Sequence, residues 1–367
     1  MKYKIDKGNG AAYLQLYKQL RGDIVNGTFG YNSRLPSKRT LAEESGVSTI
    51  TVEHTYSLLC EEGYAEARER SGYFVVFRPS DGFATAAPGM EPQRLAPSSA
   101  QTQTTFPYSL LSKTMRRVLT IYKEALLEKA PNAGCTELRT ELKHYLARNR
   151  GIHVEIEQII IGSGAEYLYG LIVELLGRDR VFAIEAPSYN KIEQVYQAAE
   201  IRYEALPLAK DGIDSAALAA ANADILHTTP YRSFPSGVTA SASKRHEYIR
   251  WANGGDRYII EDDFESEFSV STKPMETLFA LSNHNNVIYL NTFSKTISPA
   301  IRVAYMVLPQ KLVVPFEDKL GFYSCTVPTF EQFTLAELIQ NGDFERHINR
   351  VRRRMRKELS DERTADR

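Results

Sequence analysis

From Tyr108 onward, short apolar runs alternate with helical patterns, and this alternation limits the possible folds more than any other feature of the chain. The runs at 158–161, 181–184, 224–227, 258–260 and 287–290 are too short for helices and are bounded by polar or small residues. Strands that are apolar along their whole length are covered on both faces. Strands alternating with helices therefore imply a parallel sheet within an α/β fold.

The first 77 residues have a different texture. Leu14, Tyr17, Leu20 and Ile24 fall on one helical face, and Gly27 follows as a stop signal. In LPSKRTLAEESGVSTITVEHTYSLLCEEGY, Ser37 is a good N-cap for a short helix over 38–45. Gly46 marks a turn, and Ser48 caps a second helix, over 48–62, with Val52, Tyr56 and Leu59 inward. Two helices joined by a tight glycine turn form a helix-turn-helix, whose second helix can enter a major groove with its N-terminal end. Two short strand-like runs, 64–67 and 73–76, flank a charged turn and read as a wing. An ordinary three-helix core with a hairpin has the same spacing. Between the two textures, residues 78–107 are rich in Pro, Ala, Ser, Thr and Gln and lose apolar periodicity, as a linker does.

Composition narrows the function. The 45 basic and 45 acidic side chains cancel, so nucleic-acid binding has to come from a local surface. Residues 1–77 hold ten Lys and Arg against nine Asp and Glu, a net of +1, so a DNA-binding expectation rests on pattern rather than charge. Three scattered cysteines without a CxxC pair suggest reduced thiols, and no metal site is expected. The N-terminus has no apolar signal segment, and no stretch is apolar enough to span a bilayer. A soluble, cytoplasmic protein is expected.

In the C-terminal part, Asn291-Thr292-Phe293-Ser294-Lys295-Thr296 follows an apolar run, and Arg302 lies seven residues beyond Lys295. A strand-end lysine beside hydroxyls and a cation suits an aldehyde-binding site, because a Schiff base needs an amine of lowered pKa. Arg302, helped by the hydroxyls of Thr292 and Ser294, could also hold a phosphate. In RYIIEDDFESEF a strand-end carboxylate could pair with a protonated pyridine nitrogen. In IIIGSGAEYLYG, Ser163, Gly164 and Ala165 put backbone N–H groups at a helix N-terminus, which favours an anion. APSYNKIEQV carries Tyr189 in a turn. Each segment also has a plain structural reading, as a solvated lysine, an acidic loop or a helix start. The basic run from Arg346 to Lys357, with seven cations, reads as a solvated helix face.

Taken in order, these motifs resemble known families. Residues 12–77 are similar to the winged helix of GntR regulators, and the later segments look like fold-type I aminotransferases. The whole chain resembles the MocR/GabR subfamily of GntR regulators. The resemblance implies an α/β chain with an N-terminal winged helix-turn-helix (1–77), a linker (78–107) and a pyridoxal-phosphate-dependent fold-type I aminotransferase-like domain (108–367). It implies that Ser37, Arg39, Ser48, Thr49, Thr51 and the wing at Gly72 approach promoter DNA. It further implies that Lys295 forms an aldimine with pyridoxal 5'-phosphate and that Asp262 faces the pyridine nitrogen. Ser163, Gly164, Ala165, Ser294 and Arg302 would surround the phosphate, with Tyr189 by the ring. A homodimer and a small amino-compound effector are also implied.

The chain departs from the family pattern in several places. Thr49 and Glu53 stand where basic residues are frequent, Phe264 replaces a usual tyrosine, and Lys191 stands where arginine is common. The C-terminal subdomain that carries a carboxylate-binding arginine is not found before Arg367, so the aminotransferase-like domain is expected to be C-terminally truncated. Three functions remain open: a regulator sensing an amino compound or pyridoxal phosphate, an aminotransferase with a helical appendage, and a truncated regulator that binds DNA without ligand response. Little or no transaminase turnover is expected.

Overall fold

The structure, a computed structural model, describes residues 3–6, 10–69, 71–78, 106–264, 266–269, 276–282 and 285–365. Its contacts divide the chain into two units, Met1–Ser98 and Ser99–Arg367. Apart from its ends, the linker expected over 78–107 lies outside the described residues.

The first unit contains α1 (Ala12–Val25), α2 (Lys38–Ser45), α3 (Thr49–Glu61), β1 (Ala65–Arg68) and β2 (Gly72–Val75). The Ser37 hydroxyl accepts from Thr40 N at 3.1 Å, and Gly46 ends α2 in the left-handed region at φ 66°. The Ser48 hydroxyl accepts from Thr51 N at 3.1 Å. Each such cap stabilises its helix by about 1 kcal/mol. Leu16, Leu20, Ile24, Leu41, Val52, Tyr56 and Leu59 form the core. Fully burying an aliphatic side chain of this kind contributes about 1.5–3 kcal/mol. Leu14 is not part of this core. It is 41% exposed, and Leu16, four residues before Leu20, takes the inward position instead. The Tyr56 hydroxyl donates to Pro36 O at 2.6 Å and the Thr55 hydroxyl to Tyr13 O at 3.1 Å, tying α3 to the start of α2 and to α1. The wing strands pair antiparallel, Ala65 with Val75 and Arg68 with Gly72.

The second unit contains α4 (Tyr108–Tyr122), α5 (Thr136–Arg150), β3 (Ile159–Gly162), α6 (Ala165–Leu176), β4 (Phe182–Ala186), α7 (Asn190–Ala198), β5 (Tyr203–Ala209), β6 (Gly212–Ile213) and α8 (Ser215–Ala220). It continues with β7 (Ile225–Thr228), α9 (Ala242–Asn253), β8 (Tyr258–Asp262), α10 (Leu278–Leu281), β9 (Val287–Thr292), α11 (Phe293–Thr296), β10 (Ala304–Val307), α12 (Val313–Leu320), α13 (Thr329–Gln340) and α14 (Asp343–Ala365). One sheet runs β3-β10-β9-β8-β7-β4-β5-β6. Both of its faces are covered: Ile159 and Ile161 join a cluster with Leu142 and Leu338, while Ile160 joins one with Leu168 and Ile172.

The sheet is parallel from β9 through β5, but β10 runs antiparallel to both β9 and β3. The reason is length. A parallel return needs a crossover of a dozen or more residues, and only residues 293–303 join β9 to β10. This short return brings Arg302 back to the edge of the sheet at which Lys295 stands. In register, Ala304 pairs with Thr292 on one side and Gly162 on the other. The β3–α6 turn, the β9–α11 turn and the start of β10 thus share one edge of the sheet. Asp262, paired in register with Leu290, closes β8 at the same edge. In open α/β sheets, ligands bind at this carboxyl edge.

Candidate functional site

Three consecutive acids end or follow β8, and their environments separate them. Glu261 accepts from Leu278 N and Phe279 N, both at 2.8 Å, which anchors α10; burial pushes its carboxyl pKa up. Asp263 is buried against Arg150 and accepts from the Tyr289 hydroxyl at 2.7 Å. Asp262 points elsewhere. It is buried and accepts from the Tyr169 hydroxyl of α6. Burial and the nearby Asp262 carboxylate push the Tyr169 phenol well above its ordinary range, so it remains a donor. His227, on β7, places Nε2 3.6 Å from Asp262 Oδ2, and its Nδ1 pairs with the Tyr196 hydroxyl at 2.6 Å. His227 Nε2 is buried and has no hydrogen-bond partner among the described residues. Asp262 is thus held by the Tyr169 hydroxyl of α6, with the His227 ring of β7 close by.

Lys295 lies exposed in α11, with Nζ 5.9 Å from the centre of the Phe264 ring. Phe264, read from the sequence as standing where the family usually has a tyrosine, is therefore beside the lysine. The Thr292 hydroxyl accepts from Ser294 N at 3.2 Å and donates to Val303 O at 3.3 Å. The Ser294 hydroxyl donates to Ile301 O at 2.9 Å. Both hydroxyl protons brace the return that carries Arg302.

Ser163, Gly164 and Ala165 form the turn into α6. Ser163 N donates to Thr326 Oγ1 at 3.2 Å. Gly164 has φ 107° and ψ 164°, a conformation essentially restricted to glycine. A Cβ there would lie 2.5 Å from Arg302 Nη2, so the missing side chain is what lets the guanidinium reach the turn. Glu166, in the first turn of α6, accepts from Arg302 at 2.7 Å and from Lys191 at 2.7 Å. Burial by itself raises the Glu166 pKa, but hydrogen bonds from Lys191, its own backbone N–H and Arg302 outweigh this and hold it at about 2. Tyr189 caps α7 and packs edge-on against Phe234 at 6.0 Å.

These residues suit a phosphorylated pyridine aldehyde. The glycine cradle and two cations fit a phosphate, a fixed carboxylate fits a ring nitrogen, and an amine stands at the strand end. Sequence reasoning missed Glu166, Tyr169, Tyr196, His227 and Thr326. The only signal available was a histidine closing an apolar run. Among the described residues, no group of three or more His, Cys, Asp or Glu could hold a metal, and no helix is long and apolar enough to cross a membrane.

In the first unit, Ser37 and Ser48 cap α2 and α3, Arg39 lies in the first turn of α2, and Thr49 and Thr51 lie in that of α3. Gly72 opens β2. The Arg39 side chain is 88% exposed and its Nε is 3.1 Å from Glu43. Glu53 forms a 2.6 Å ion pair with Lys38. On α14, Phe344, Ile348 and Val351 face the core, and Arg346 pairs with Asp343 at 2.6 Å. Arg350, Arg353 and Arg356 are exposed, as on a solvated helix face.

Residues 12–75 match the family described as bacterial regulatory proteins, gntR family, and residues 112–364 match aminotransferase class I and II. The chain belongs to the GntR-family transcription regulators that carry an aminotransferase class I and II domain. It is 32% identical over 355 residues to the uncharacterized HTH-type transcriptional regulator YdeL of Bacillus subtilis, covering 94% of this chain and 77% of that protein. It is 27% identical to the HTH-type pyridoxine biosynthesis transcriptional regulator PdxR of Corynebacterium glutamicum, covering 92% and 75%. Among solved structures it is similar to LysN, an α-aminoadipate aminotransferase from Thermus thermophilus complexed with N-(5'-phosphopyridoxyl)-L-leucine. The TM-score is 0.59 and the identity 26%, with 68% of this chain and 64% of that one covered.

Proposed function

We propose that this chain is a pyridoxal-phosphate-dependent transcription regulator that binds promoter DNA as a homodimer and senses an amino compound, or pyridoxal phosphate itself, at Lys295. The observation that carries this reading is the meeting of Lys295, Asp262, Gly164 and Arg302 at one sheet edge, in a chain that also has a capped helix pair and a wing. When bound, the cofactor would supply an aldehyde for amines and an electron-withdrawing ring. Asp262 would hold the ring nitrogen protonated, positioned by Tyr169. Arg302, Ser163, Gly164 and Ala165 would bind the phosphate, Ser294 would join them only if its hydroxyl turned from Ile301 O, and Tyr189 would lie by the ring. Phe264 has no hydroxyl to offer near Lys295, which supports sensing with little or no transaminase turnover.

Glu166 sets the affinity in this scheme. Its carboxylate holds Arg302 and Lys191, and its pairs are lost only as pH falls toward about 2. An arriving phosphate has to share Arg302 with it. Glu166→Gln is expected to tighten pyridoxal phosphate binding by roughly 3- to 10-fold at neutral pH, a modest gain because these side chains are partly solvated. Spectroscopic titration of both proteins checks this, and unchanged or weaker binding counts against the scheme.

On the DNA side, Ser37, Arg39, Ser48, Thr49, Thr51 and Gly72 would face the duplex. The exposed Arg39–Glu43 pair is cheap to break, leaving Arg39 available to a phosphate. Arg39→Ala is expected to weaken binding to all duplexes and to reduce the slope of log K against log salt by about 0.9. Binding to DNA upstream of the protein's own gene, measured across salt, tests this. Absence of any salt-sensitive binding refutes the reading.

A further inference from the structure

The sequence of α3, TITVEHTYSLLCE, contains no lysine or arginine, so the helix cannot supply the bidentate cation that most often reads guanine. Its exposed positions are Thr49, Ile50, Glu53, His54, Ser57 and, at the far end, Glu61. Glu53 is engaged with Lys38 at 2.6 Å, and His54 packs edge-on against Tyr13 at 5.7 Å. Ile50 is different. It is 67% exposed in the first turn, while Val52, Tyr56 and Leu59 of the same helix are fully buried. A branched apolar side chain left in water at the groove-entering end of a helix has one apolar counterpart on base edges in the major groove, the thymine C5-methyl.

We propose that Ile50 is a specificity-determining residue that reads a thymine methyl, so that the operator carries a T·A pair opposite this position. The inference rests on the DNA-binding reading above and adds what the reading helix recognises. The flanking capped turn supports it. Ser48 N-caps the helix and its hydroxyl lies 2.9 Å from the Thr51 hydroxyl, which fixes the first turn and with it the direction of Ile50. An exposed side chain contributes little to the core, so its replacement leaves the fold intact.

The test uses the full chain and duplexes that it selects from a random library, prepared once with thymine and once with deoxyuridine throughout. Deoxyuridine lacks only the methyl. Wild type is expected to bind the deoxyuridine form more weakly, by about fourfold for each methyl buried against Ile50. Ile50→Ala is expected to bind the thymine form more weakly and to lose this discrimination, and Ile50→Val to keep most of it. Thermal melting of each variant confirms folding. Equal binding of both duplexes by wild type, or undiminished discrimination by Ile50→Ala, overturns the assignment to Ile50 while leaving DNA binding intact. Failure of wild type to select any duplex overturns the DNA-binding reading and this inference together.

Discussion

Asp262→Asn is expected to weaken pyridoxal phosphate binding by roughly 2- to 30-fold while leaving the thermal melting of the protein without cofactor nearly unchanged. The substitution keeps the shape and the carbonyl oxygen that accepts from Tyr169, and it removes the negative charge. A hydrogen bond to a charged partner contributes about 1.5–3 kcal/mol, against about 1 for a neutral one. Asp262 is buried, so little water screens its partner. The neighbouring acids cannot replace it, because Glu261 is taken by two backbone N–H groups and Asp263 by Arg150 and Tyr289. Titration of both proteins by absorbance checks the effect. An affinity within twofold of wild type would show that the carboxylate does not face the ring.

Much of this arrangement was legible in the sequence, for local reasons. The boundaries of α2 fall at Lys38 and Ser45, as read, because a serine and a glycine flank it. The wing strands lie one residue from their expected places, since alternation marks a strand's face more sharply than its ends. Strands buried along their whole length, such as β3, β7 and β9, were visible as apolar runs. β5 was not visible, because most of its residues are only partly buried and Pro207 interrupts it. The reversal of β10 was also not read. It follows from the length of the return after Lys295, a constraint that periodicity does not express.

The site was legible where chemistry sits at strand ends, as at Lys295 and Asp262. It was opaque where partners come from distant segments. Arg302 was read as a cation near Lys295, yet it pairs with Glu166, 136 residues earlier in the chain. Tyr169 and His227 converge on Asp262 from α6 and β7, and neither carries a local sign of that role. The Ser294 hydroxyl, expected at the phosphate, donates to the backbone of the Arg302 return.

The largest effect is expected at Lys295 itself. Among the described residues placed at this edge, its amine is the one that stands at the strand end beside Phe264, whereas the other amine, Lys191, is held in an ion pair with Glu166 at 2.7 Å. Lys295→Ala is therefore expected to lose covalent capture of pyridoxal phosphate completely. DNA binding through Ser37, Arg39 and Ser48 is expected to keep its wild-type salt dependence, because those residues belong to the other unit. The direct measurement is to add stoichiometric pyridoxal phosphate to the full chain, reduce with borohydride, digest, and locate the label by peptide mass. The account predicts one pyridoxyl group, on the peptide containing Lys295, and none on the corresponding peptide of Lys295→Ala. An unlabelled wild-type chain, or a label of equal yield on another lysine in both proteins, would contradict it.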